Sequence, residues 1–491
     1  MNIRLILYII GQILRAEGIL MVIPLITSIC YRENVWPLAI PMAVLLVLGV
    51  LLTFKKPADR DRMGVRDGLF VVGASWVMMS LFGMIPFLLC GAISSPVDAF
   101  FETVSGFTTT GATILGDAVG TLPADLPHGV ALWRSLTHWI GGMGVLVFVL
   151  AVMPQQQFKS ARLMHAMRAE VPGPVATKVV ATIRRSAGIV YAIYIALTLI
   201  EMVMLLFGGM SFYDALLHTF STAGTGGFSN MNASVGAFDS SYIHWVITAF
   251  MLIFSINFNL FYLILIGQVG RALLSEELRW FAIVVLSSIG IVTLNILPMY
   301  DSFGTAIRDA AFTVSSFIST TGFTTAVYDE WPQLSQAILV VLMFIGSCAG
   351  STGGGLKISR LIILVKNALR ELTVTLHPRE IRSVRVDGKP IEQDTIRGVN
   401  AYFTIYFFIF SASTLLLLLV DDMDLVTAFT SVASCINNVG PGLGEIGLLG
   451  GGSFGGFSVA SKLLLSFNML LGRLELFPIL ILFLPSAWSK R

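Results

Sequence analysis

The chain has 491 residues, of which 55% are hydrophobic and only 12% are charged. Soluble domains carry about twice that fraction of charged residues, so the composition excludes a soluble globular protein and indicates an integral membrane protein. The net charge of +2 identifies no partner, and we expect no nucleic acid to bind. The four cysteines lie far apart and outside any CxxC motif, and we interpret them as buried small hydrophobic residues: Cys30, Cys90, Cys348 and Cys435.

The predicted elements begin with two membrane-crossing helices, at 3–30 and 36–54, and a basic loop at 55–66. A unit of a long apolar helix, a short helix with a glycine motif and a second long apolar helix then appears four times, at roughly 68–153, 186–267, 280–366 and 397–487. Since about 20 apolar residues cross a bilayer, this pattern predicts ten crossings. We therefore divide the chain into an N-terminal part at 1–67 and four repeats, at 68–185, 186–279, 280–396 and 397–491.

The four repeats share one short stretch that aligns without a gap. Its copies are DAFFETVSGFTTTGAT (98–113), DALLHTFSTAGTGGFS (214–229), DAAFTVSSFISTTGFT (309–324) and TAFTSVASCINNVGPG (427–442). Serine recurs at one position (Ser105, Ser221, Ser316 and Ser434) and glycine at another (Gly111, Gly227, Gly322 and Gly440). Self-similarity at long spacing indicates a repeated architecture, so four copies of one element predict one shared site.

The short helix of each copy is long enough to reach only halfway across a membrane, ~15 Å for about 10 residues, so the chain after it can return as an extended strand. Irregular backbone at membrane depth is tolerated only where protein encloses it or where it lines a watery cavity. Four such strands around one axis would form rings of carbonyl and hydroxyl oxygens, which can replace the hydration shell of a monovalent cation. The alternative is that the glycines serve ordinary close packing of helices.

The candidate ion ligands lie immediately before and at each repeated glycine: Thr109, Thr110, Gly111, Thr225, Gly226, Gly227, Thr320, Thr321, Gly322, Asn438, Val439 and Gly440. The C-terminal ends of the short helices carry partial negative charge, which would stabilise a cation there without a full charge to trap it. Three copies begin with an aspartate. We expect these carboxylates to cap the free N–H groups at the helix starts: Asp98, Asp214 and Asp309.

The distribution of charge predicts the orientation. Basic residues lie mainly in the loops at 55–66, 155–185, 268–279 and 357–397, whereas the opposite loops are rich in Asp and Glu. By the positive-inside rule, both termini and the basic loops are cytoplasmic, and the glycine strands enter from the outside beneath an acidic rim. That sign suits a cation, although the positive-inside rule alone would also deplete the outer loops of Lys and Arg.

These motifs resemble the filter strands of the TrkH/TrkG potassium-uptake subunits of the Trk/Ktr/HKT superfamily, over essentially the whole chain: TTTGAT (108–113), AGTGGFS (223–229), STTGFTT (319–325) and NNVGPG (437–442). The resemblance implies an all-α polytopic membrane protein in which two N-terminal transmembrane helices precede four helix–pore loop–helix repeats around one pseudo-fourfold pore. It implies uptake of K⁺ across the bacterial inner membrane through these strands. It also implies a homodimer embedded in membrane lipid and a cytoplasmic TrkA-type regulatory ring that binds NAD or ATP.

The fourth strand departs from the Thr-Gly pattern, because Asn437, Asn438 and Val439 precede its glycine. One quadrant therefore presents amide instead of hydroxyl chemistry. Each strand also has one registered glycine, in contrast to the TVGYG of potassium channels. We therefore expect fewer ordered ion sites and looser discrimination between cations.

A glycine-rich segment, GSCAGSTGGGLK at 346–357, interrupts the second long helix of repeat three. A glycine in a helix interior costs about 1 kcal/mol relative to alanine, so we expect the helix to break here, at Gly350, Gly353, Gly354 and Gly355. By resemblance, 346–355 is the intramembrane loop that gates the pore, with Lys357 at its cytoplasmic end. A hinge or packing kink without a gating role is the alternative.

Arg473 lies inside the last apolar helix, in LLGRLELFP. Charges inside a membrane span are costly and usually face a cavity or a partner. By resemblance, Arg473 faces the pore below the strands, as an electrostatic barrier or as a tether for the gating loop. A structural pair with Glu475 is less natural, since residues two apart do not face each other on a helix.

The same sequence pattern has three alternative interpretations. A potassium-translocating subunit of a P-type pump also has four such repeats but would carry further helices, and a member of the same superfamily could conduct Na⁺ as well as K⁺. No enzyme activity is expected, because the six histidines lack metal-ligand spacing.

The sequence also bears on regulation. Gly442, Gly444 and Gly447 spell GxGxxG but follow no predicted strand, so we expect this chain to bind no nucleotide itself. The basic 357–397 loop is expected to dock the regulatory ring, although positive-inside topology alone would also place it in the cytoplasm. The choice between passive flow and coupling to H⁺ or Na⁺ stays open.

Overall fold

The computed structural model describes residues 3–55, 65–144, 183–377 and 383–485. In chain order its α-helices are α1 (Ile3–Leu20), α2 (Val22–Cys30), α3 (Trp36–Thr53), α4 (Val65–Gly83), α5 (Ile85–Leu89), α6 (Pro96–Phe107), α7 (His128–Gly142), α8 (Ile183–Phe207), α9 (Phe212–Gly224), α10 (Ser241–Phe254), α11 (Phe258–Leu265), α12 (Val269–Leu273), α13 (Glu276–Ile296), α14 (Phe303–Ile318), α15 (Gln333–Ile345), α16 (Ile358–Leu376), α17 (Gln393–Val420), α18 (Leu425–Asn437), α19 (Val459–Arg473) and α20 (Phe477–Leu482). A short antiparallel hairpin, β1 (Arg385–Val386) with β2 (Lys389–Pro390), lies between α16 and α17. The predicted basic loops at 55–66 and 155–185 lie largely outside the described residues.

The N-terminal pair of helices is confirmed. α1 and α2 form one apolar stretch over Ile3–Cys30, and α3 forms a second. α1 packs against α3 where glycines let the two backbones approach, since a Cβ added to Gly49 would lie 2.8 Å from the carbonyl oxygen of Gly11. Small residues at helix contacts are typical of membrane proteins, in which close van der Waals packing replaces the hydrophobic effect between helices.

Six stretches of the described chain are long and apolar enough to cross a membrane: Ile3–Cys30, Trp36–Thr53, Asp67–Leu89, Gly188–Phe207, Glu276–Met299 and Gln393–Val420. The last four of these contain the first long helix of each repeat. Their outward faces carry large apolar side chains, such as Phe207 and Leu419, which are 83% and 80% exposed. A long helix whose exposed face is apolar is suited to contact lipid and not water, so the chain is an integral membrane protein.

The second long helix is interrupted in repeats two, three and four. α10 and α11 meet at an angle of 92°. α15 and α16 are separated by 346–357, as the glycine-rich sequence predicts. α19 and α20 are separated at Glu475 and Leu476, which adopt positive φ angles of 56° and 66°. The sequence did not predict the breaks in repeats two and four, because no cluster of glycines marks them.

The four repeated stretches each form a short helix followed by an extended strand. The helices are α6, α9, α14 and α18, and each ends a few residues before its repeated glycine. Their C-terminal halves are buried among the other helices. This arrangement places four helix ends and four strands at the centre of the molecule.

Candidate cation site formed by the four repeated strands

The four strands adopt one backbone conformation in the predicted register. The residue two positions before each glycine is left-handed, with φ of 53° at Thr109, 55° at Thr225, 59° at Thr320 and 56° at Asn438. The glycines themselves have φ of 80°, 79°, 81° and 99°, in chain order. Left-handed backbone is uncommon for residues with a side chain and is typical of functional sites. Its occurrence at four aligned positions indicates that the geometry of the site requires it.

The four helices end with the same backbone hydrogen bond, to the carbonyl group of the repeated serine. The N–H of the residue just before the repeated glycine donates to the serine carbonyl oxygen, over 2.9 Å from Thr110 to Ser105 and 2.8 Å from Gly226 to Ser221. The third and fourth repeats make the same bond over 2.9 Å, from Thr321 to Ser316 and from Val439 to Ser434. A bond that spans six residues around a left-handed residue is the Schellman motif, which satisfies the free carbonyl groups of a helix end. Each strand therefore leaves its helix in the same direction.

The four strands form a closed ring. A Cβ added to Gly111 would lie 2.0 Å from the carbonyl oxygen of Gly226, and one added to Gly227 would lie 1.9 Å from that of Thr321. The corresponding distances are 2.3 Å from Gly322 to Val439 and 2.6 Å from Gly440 to Thr110. Each glycine thus packs against the carbonyl of the next strand, and the fourth strand returns to the first. Only glycine fits, because a side chain at any of the four positions would displace a backbone oxygen.

The ring supplies oxygen ligands for a cation. The carbonyl groups that precede the four glycines lie around it, and the C-terminal ends of four helices surround them, which adds partial negative charge. Two of the predicted hydroxyl groups also form hydrogen bonds within the protein: Thr225 Oγ1 donates to the Gly224 carbonyl over 2.6 Å, and Thr321 Oγ1 lies 2.7 Å from Ser319 Oγ. The described residues contain no cluster of three His, Cys, Asp or Glu side chains that could hold a metal ion. The arrangement therefore fits a cation that is coordinated by backbone oxygens.

A cavity of about 250 Å³ opens on one side of the ring. Residues that follow the repeated glycines line it in all four repeats, at Thr113, Ser229, Thr324 and Pro441. The ring therefore adjoins a space, lined by polar and apolar residues, that is larger than a single water molecule.

The glycine-rich segment 346–357 packs against the other side of the ring. The N–H of Gly354 donates to Thr320 Oγ1 over 2.6 Å, and the N–H of Gly355 donates to the Asn437 carbonyl over 3.0 Å. A Cβ added to Gly353 would lie 2.8 Å from the Ser319 carbonyl oxygen. Gly350 has φ of 70° and faces the Asn257 side chain. The segment therefore contacts the ends of α14 and α18 directly below the third and fourth strands.

Arg473 connects this segment to a different part of the molecule. Its Nη1 donates to the Thr352 carbonyl over 2.7 Å, and its Nη2 donates to the carbonyls of Gly141 and Gly142 over 2.5 and 2.6 Å. Glu475 does not pair with Arg473 but forms an ion pair with Arg360. The guanidinium group therefore bridges 346–357 and the C-terminal end of α7.

Lys357 is buried at the end of the same segment and turns back into it. Its ammonium group donates to the Gly353 carbonyl, and only 2% of the residue is exposed. The lysine has φ of 73°, so the chain turns sharply before α16 begins. Lys357 therefore holds the end of the glycine-rich segment against the backbone of Gly353.

The prediction that the carboxylates of three aspartates cap the short helices is wrong. The caps of α6, α9 and α14 are serines that lie three or more residues earlier, since Ser95, Ser211 and Ser302 accept from the N–H groups of Asp98, Asp214 and Thr305. Asp98 instead binds Lys462, with its Oδ1 2.7 Å from Nζ, and Asp214 accepts from Ser211 Oγ and Asn230 Nδ2. Asp309 lies well inside α14 and pairs with Arg308. Asp98 and Asp214 are the third residues of their helices, so their own N–H groups are the ones that the serine hydroxyls cap, and Asp309 lies further inside its helix.

Sequence reasoning missed two residues beside the ring, Glu102 and Arg134. They form a buried ion pair in which Arg134 Nε lies 2.6 Å from Glu102 Oε1. The available signal was the alignment of the four repeats, in which Glu102 corresponds to His218, Thr313 and Ser431 and is the only acidic residue at its position.

Comparison with known proteins agrees with this geometry. The family model for TrkH, described as a cation transport protein, matches residues 38–491. The Trk system potassium uptake protein TrkH of Salmonella typhimurium is 35% identical over 496 residues, and the match covers 100% of both chains. The Trk system potassium uptake protein TrkG of Escherichia coli K12 is 30% identical over 495 residues, which cover 100% of this chain and 99% of that protein.

The fold is also that of a solved structure. The crystal structure of the potassium transporter TrkH from Vibrio parahaemolyticus matches with a TM-score of 0.88 and 33% identity, over 100% of each chain. Both the sequence and the structural matches extend over the N-terminal helices and all four repeats. The chain belongs to the TrkH family of cation transport proteins.

Proposed function

We propose that this protein takes up K⁺ across the bacterial inner membrane through the ring of four strands. The observation that supports the proposal most directly is the closed circle of contacts in which each repeated glycine packs against the carbonyl of the next strand. A ring of backbone oxygens can replace the water around a monovalent cation, and it does so without trapping the ion. The Salmonella typhimurium and Escherichia coli relatives are named as potassium uptake proteins, which supports K⁺ as the ion.

The ligands in this proposal are the predicted filter residues, with the carbonyl oxygens of Thr110, Gly226, Thr321 and Val439 as the shared ring. K⁺ is the transported ion. The regulatory nucleotide, NAD or ATP, binds to a partner protein and not to this chain. We further propose that segment 346–357 is the gate, because it lies against the ring on the side opposite the cavity. Arg473 then holds the gate closed through the Thr352 carbonyl.

The proposal extends to assembly and orientation. Both termini are placed in the cytoplasm, where a TrkA-type NAD- or ATP-binding ring would contact the basic 357–397 region. That region contains α16 and the β1–β2 hairpin, and Lys366 within it forms an ion pair with Glu276. A homodimer in the lipid bilayer is the proposed assembly. The relatives' designation as components of a Trk system supports a multi-protein arrangement.

The first experiment is uptake of radioactive rubidium into liposomes that contain the purified chain, in competition with K⁺, Na⁺ and Li⁺. The test variant is Gly111→Ser, whose Cβ would lie 2.0 Å from the Gly226 carbonyl oxygen. The matched control is Gly290→Ser, because Gly290 has no other group within 4 Å of an added Cβ. We expect K⁺ to block uptake far better than Na⁺ in the wild type and the control, and Gly111→Ser to change this preference.

Three results would contradict parts of the proposal. Equal competition by Na⁺ would make the protein a sodium or mixed-cation transporter on the same fold. Equal ion preference in Gly111→Ser and wild type would place the permeation path elsewhere. A wild type without uptake, both alone and with the regulatory partner added, would refute uptake of K⁺ by this chain.

A further inference from the structure

We propose that Glu102 and Arg134 form an internal clamp that positions the first two strands of the ring and thereby sets its discrimination between cations. The inference rests on the proposed function and deepens it. It starts from the ion pair itself, which joins α6 to α7 with 2.6 Å between Arg134 Nε and Glu102 Oε1. Both residues are buried, at 4% and 1% exposure. A buried charge pair is costly to form and is retained only where further hydrogen bonds satisfy both partners.

Glu102 holds the first strand through both of its oxygens. Thr113 Oγ1 donates to Oε1 over 2.9 Å and lies 3.1 Å from Oε2, and the N–H of Ile114 donates to Oε2 over 2.9 Å. Thr113 and Ile114 lie two and three residues after Gly111. The carboxylate therefore anchors the strand immediately beyond the point where it contacts the ring.

Arg134 holds the second strand in the same way. Its Nη1 donates to the Ser229 carbonyl over 3.0 Å, and its guanidinium carbon lies 3.5 Å above the centre of the Phe228 ring. Phe228 also stacks on His138, one turn further along α7, with 4.0 Å between ring centres. Phe228 and Ser229 directly follow Gly227, so one face of α7 positions the second strand next to its ring glycine.

The repeats themselves support a positioning role. His218 is the counterpart of Glu102 in repeat two, and its Nε2 lies 2.9 Å from Ser229 Oγ, which is the counterpart of Thr113 Oγ1. The same helix position thus contacts the same strand position in both repeats. A continuous path runs from Thr113 through Glu102, Arg134 and Ser229 to His218.

The third and fourth strands are held close to their glycines by hydrogen bonds between uncharged groups. Ser316 Oγ donates to the Phe323 carbonyl over 2.6 Å, and Thr430 Oγ1 donates to the Leu443 carbonyl over 3.0 Å. Hydrogen bonds with a charged partner are roughly twice as strong as neutral ones, so the first two strands are held more firmly than the last two.

The clamp acts on the ring because the first two strands are in direct contact there. The Gly226 carbonyl oxygen lies against Gly111, where an added Cβ would be only 2.0 Å away. If either strand relaxes, the carbonyls of Thr110 and Gly226 move relative to each other. A ring that discriminates by the spacing and number of its oxygens loses discrimination when that spacing becomes adjustable.

The test uses the full-length chain in liposomes and compares ion preference with strand protection. Removing one charge leaves the other buried and unpaired, which endangers folding, so the main variant is the double neutral change E102Q/R134Q. The control variant, R279Q/D301N, removes two exposed charges of opposite sign, on α13 and in the loop between α13 and α14. Two measurements are made on each: competition by Na⁺ and K⁺ in rubidium uptake, and hydrogen–deuterium exchange of peptides that cover 108–116 and 225–232.

We expect E102Q/R134Q to lower the preference for K⁺ over Na⁺ by about tenfold, which corresponds to the loss of roughly one charged hydrogen bond, and to speed exchange in both peptides. The control should change neither. Arg134→Lys keeps the charge beside Glu102 but cannot also reach Ser229, because an ammonium group lacks the fork of guanidinium. In Arg134→Lys, faster exchange should therefore be confined to the peptide that covers 225–232.

Unchanged exchange and unchanged ion preference in the folded double variant would overturn the clamp. Faster exchange with unchanged preference would leave the pair a structural role and refute its effect on discrimination. A wild type that does not prefer K⁺ would refute the selectivity of the proposed function, and the exchange measurement would still decide whether the pair positions the strands.

Discussion

Replacing Arg473 tests whether the glycine-rich segment is held as a gate. The guanidinium group makes one bond to that segment, over 2.7 Å to the Thr352 carbonyl, and two bonds to the end of α7. A hydrogen bond from a charged group contributes about 1.5–3 kcal/mol, so losing the bond to the segment would shift the balance between closed and open forms by about 10- to 150-fold. We therefore expect Arg473→Gln to raise basal rubidium uptake by about that factor, in the absence of any regulatory partner.

The assay is uptake into liposomes at matched amounts of protein, with folding checked by size-exclusion chromatography. Arg279→Gln is the control, because Arg279 is an exposed arginine on α13. Arg473→Lys separates the two proposed roles. An ammonium group keeps the positive charge, so it would preserve an electrostatic barrier, but it cannot bridge Thr352 and the α7 end as the guanidinium does. Folded Arg473→Gln protein with uptake equal to wild type would refute both roles, whereas wild-type uptake in Arg473→Lys alone would refute the tether.

Three further predictions concern the fourth strand, a helix cap and the loop between α2 and α3. Asn438→Ala should lower both stability and K⁺ preference, because it removes the 2.9 Å bond from Nδ2 to Thr110 Oγ1 and places alanine at φ of 56°; unchanged rubidium competition would contradict this. Ser302→Ala should lower stability by about 1 kcal/mol through loss of the α14 cap, measured by thermal unfolding, with Asp309→Asn as the comparison that removes no cap. Burial raises the pKa of Glu33, but the hydrogen bonds and charge of His128, with the N–H of Gly129, outweigh it, so the pKa lies below its ordinary value. The stabilisation is therefore present above the ordinary carboxyl pKa and is lost as pH falls through the lowered one. Glu33→Gln should reduce the melting temperature at pH 7, and its effect should shrink as pH falls below the ordinary carboxyl pKa and disappear below the lowered one.

Much of the site was accessible from the sequence because its signals are local and repeated. The alignment of four glycine-containing stretches predicted which residues share a register, and the left-handed residue and the Schellman bond recur at aligned positions. The break at 346–357 was predicted for an equally local reason, since several glycines in succession cannot maintain a helix. The long apolar helices and the two leading helices follow from segment length and composition.

The caps show where a local pattern was misinterpreted. Three aligned aspartates stand near the helix starts, yet serines make the capping bonds. Alignment identifies equivalent positions but does not specify how far each helix extends toward its N-terminus. Asp309 makes this clear, because α14 begins at Phe303 and leaves the aspartate in its interior.

The membrane class, the repeat number, the register of the strands and the position of one helix break could be inferred from the sequence, because each depends on residues that are close together in the chain. Which strand contacts which could be seen only in the folded protein, since Gly111 lies against Gly226 and Gly440 lies against Thr110 across much of the chain. The folded protein also shows that Arg473 bonds to carbonyls from two other repeats and that Glu102 pairs with Arg134. Such partners depend on the three-dimensional packing of distant helices, and no local pattern of residues specifies them.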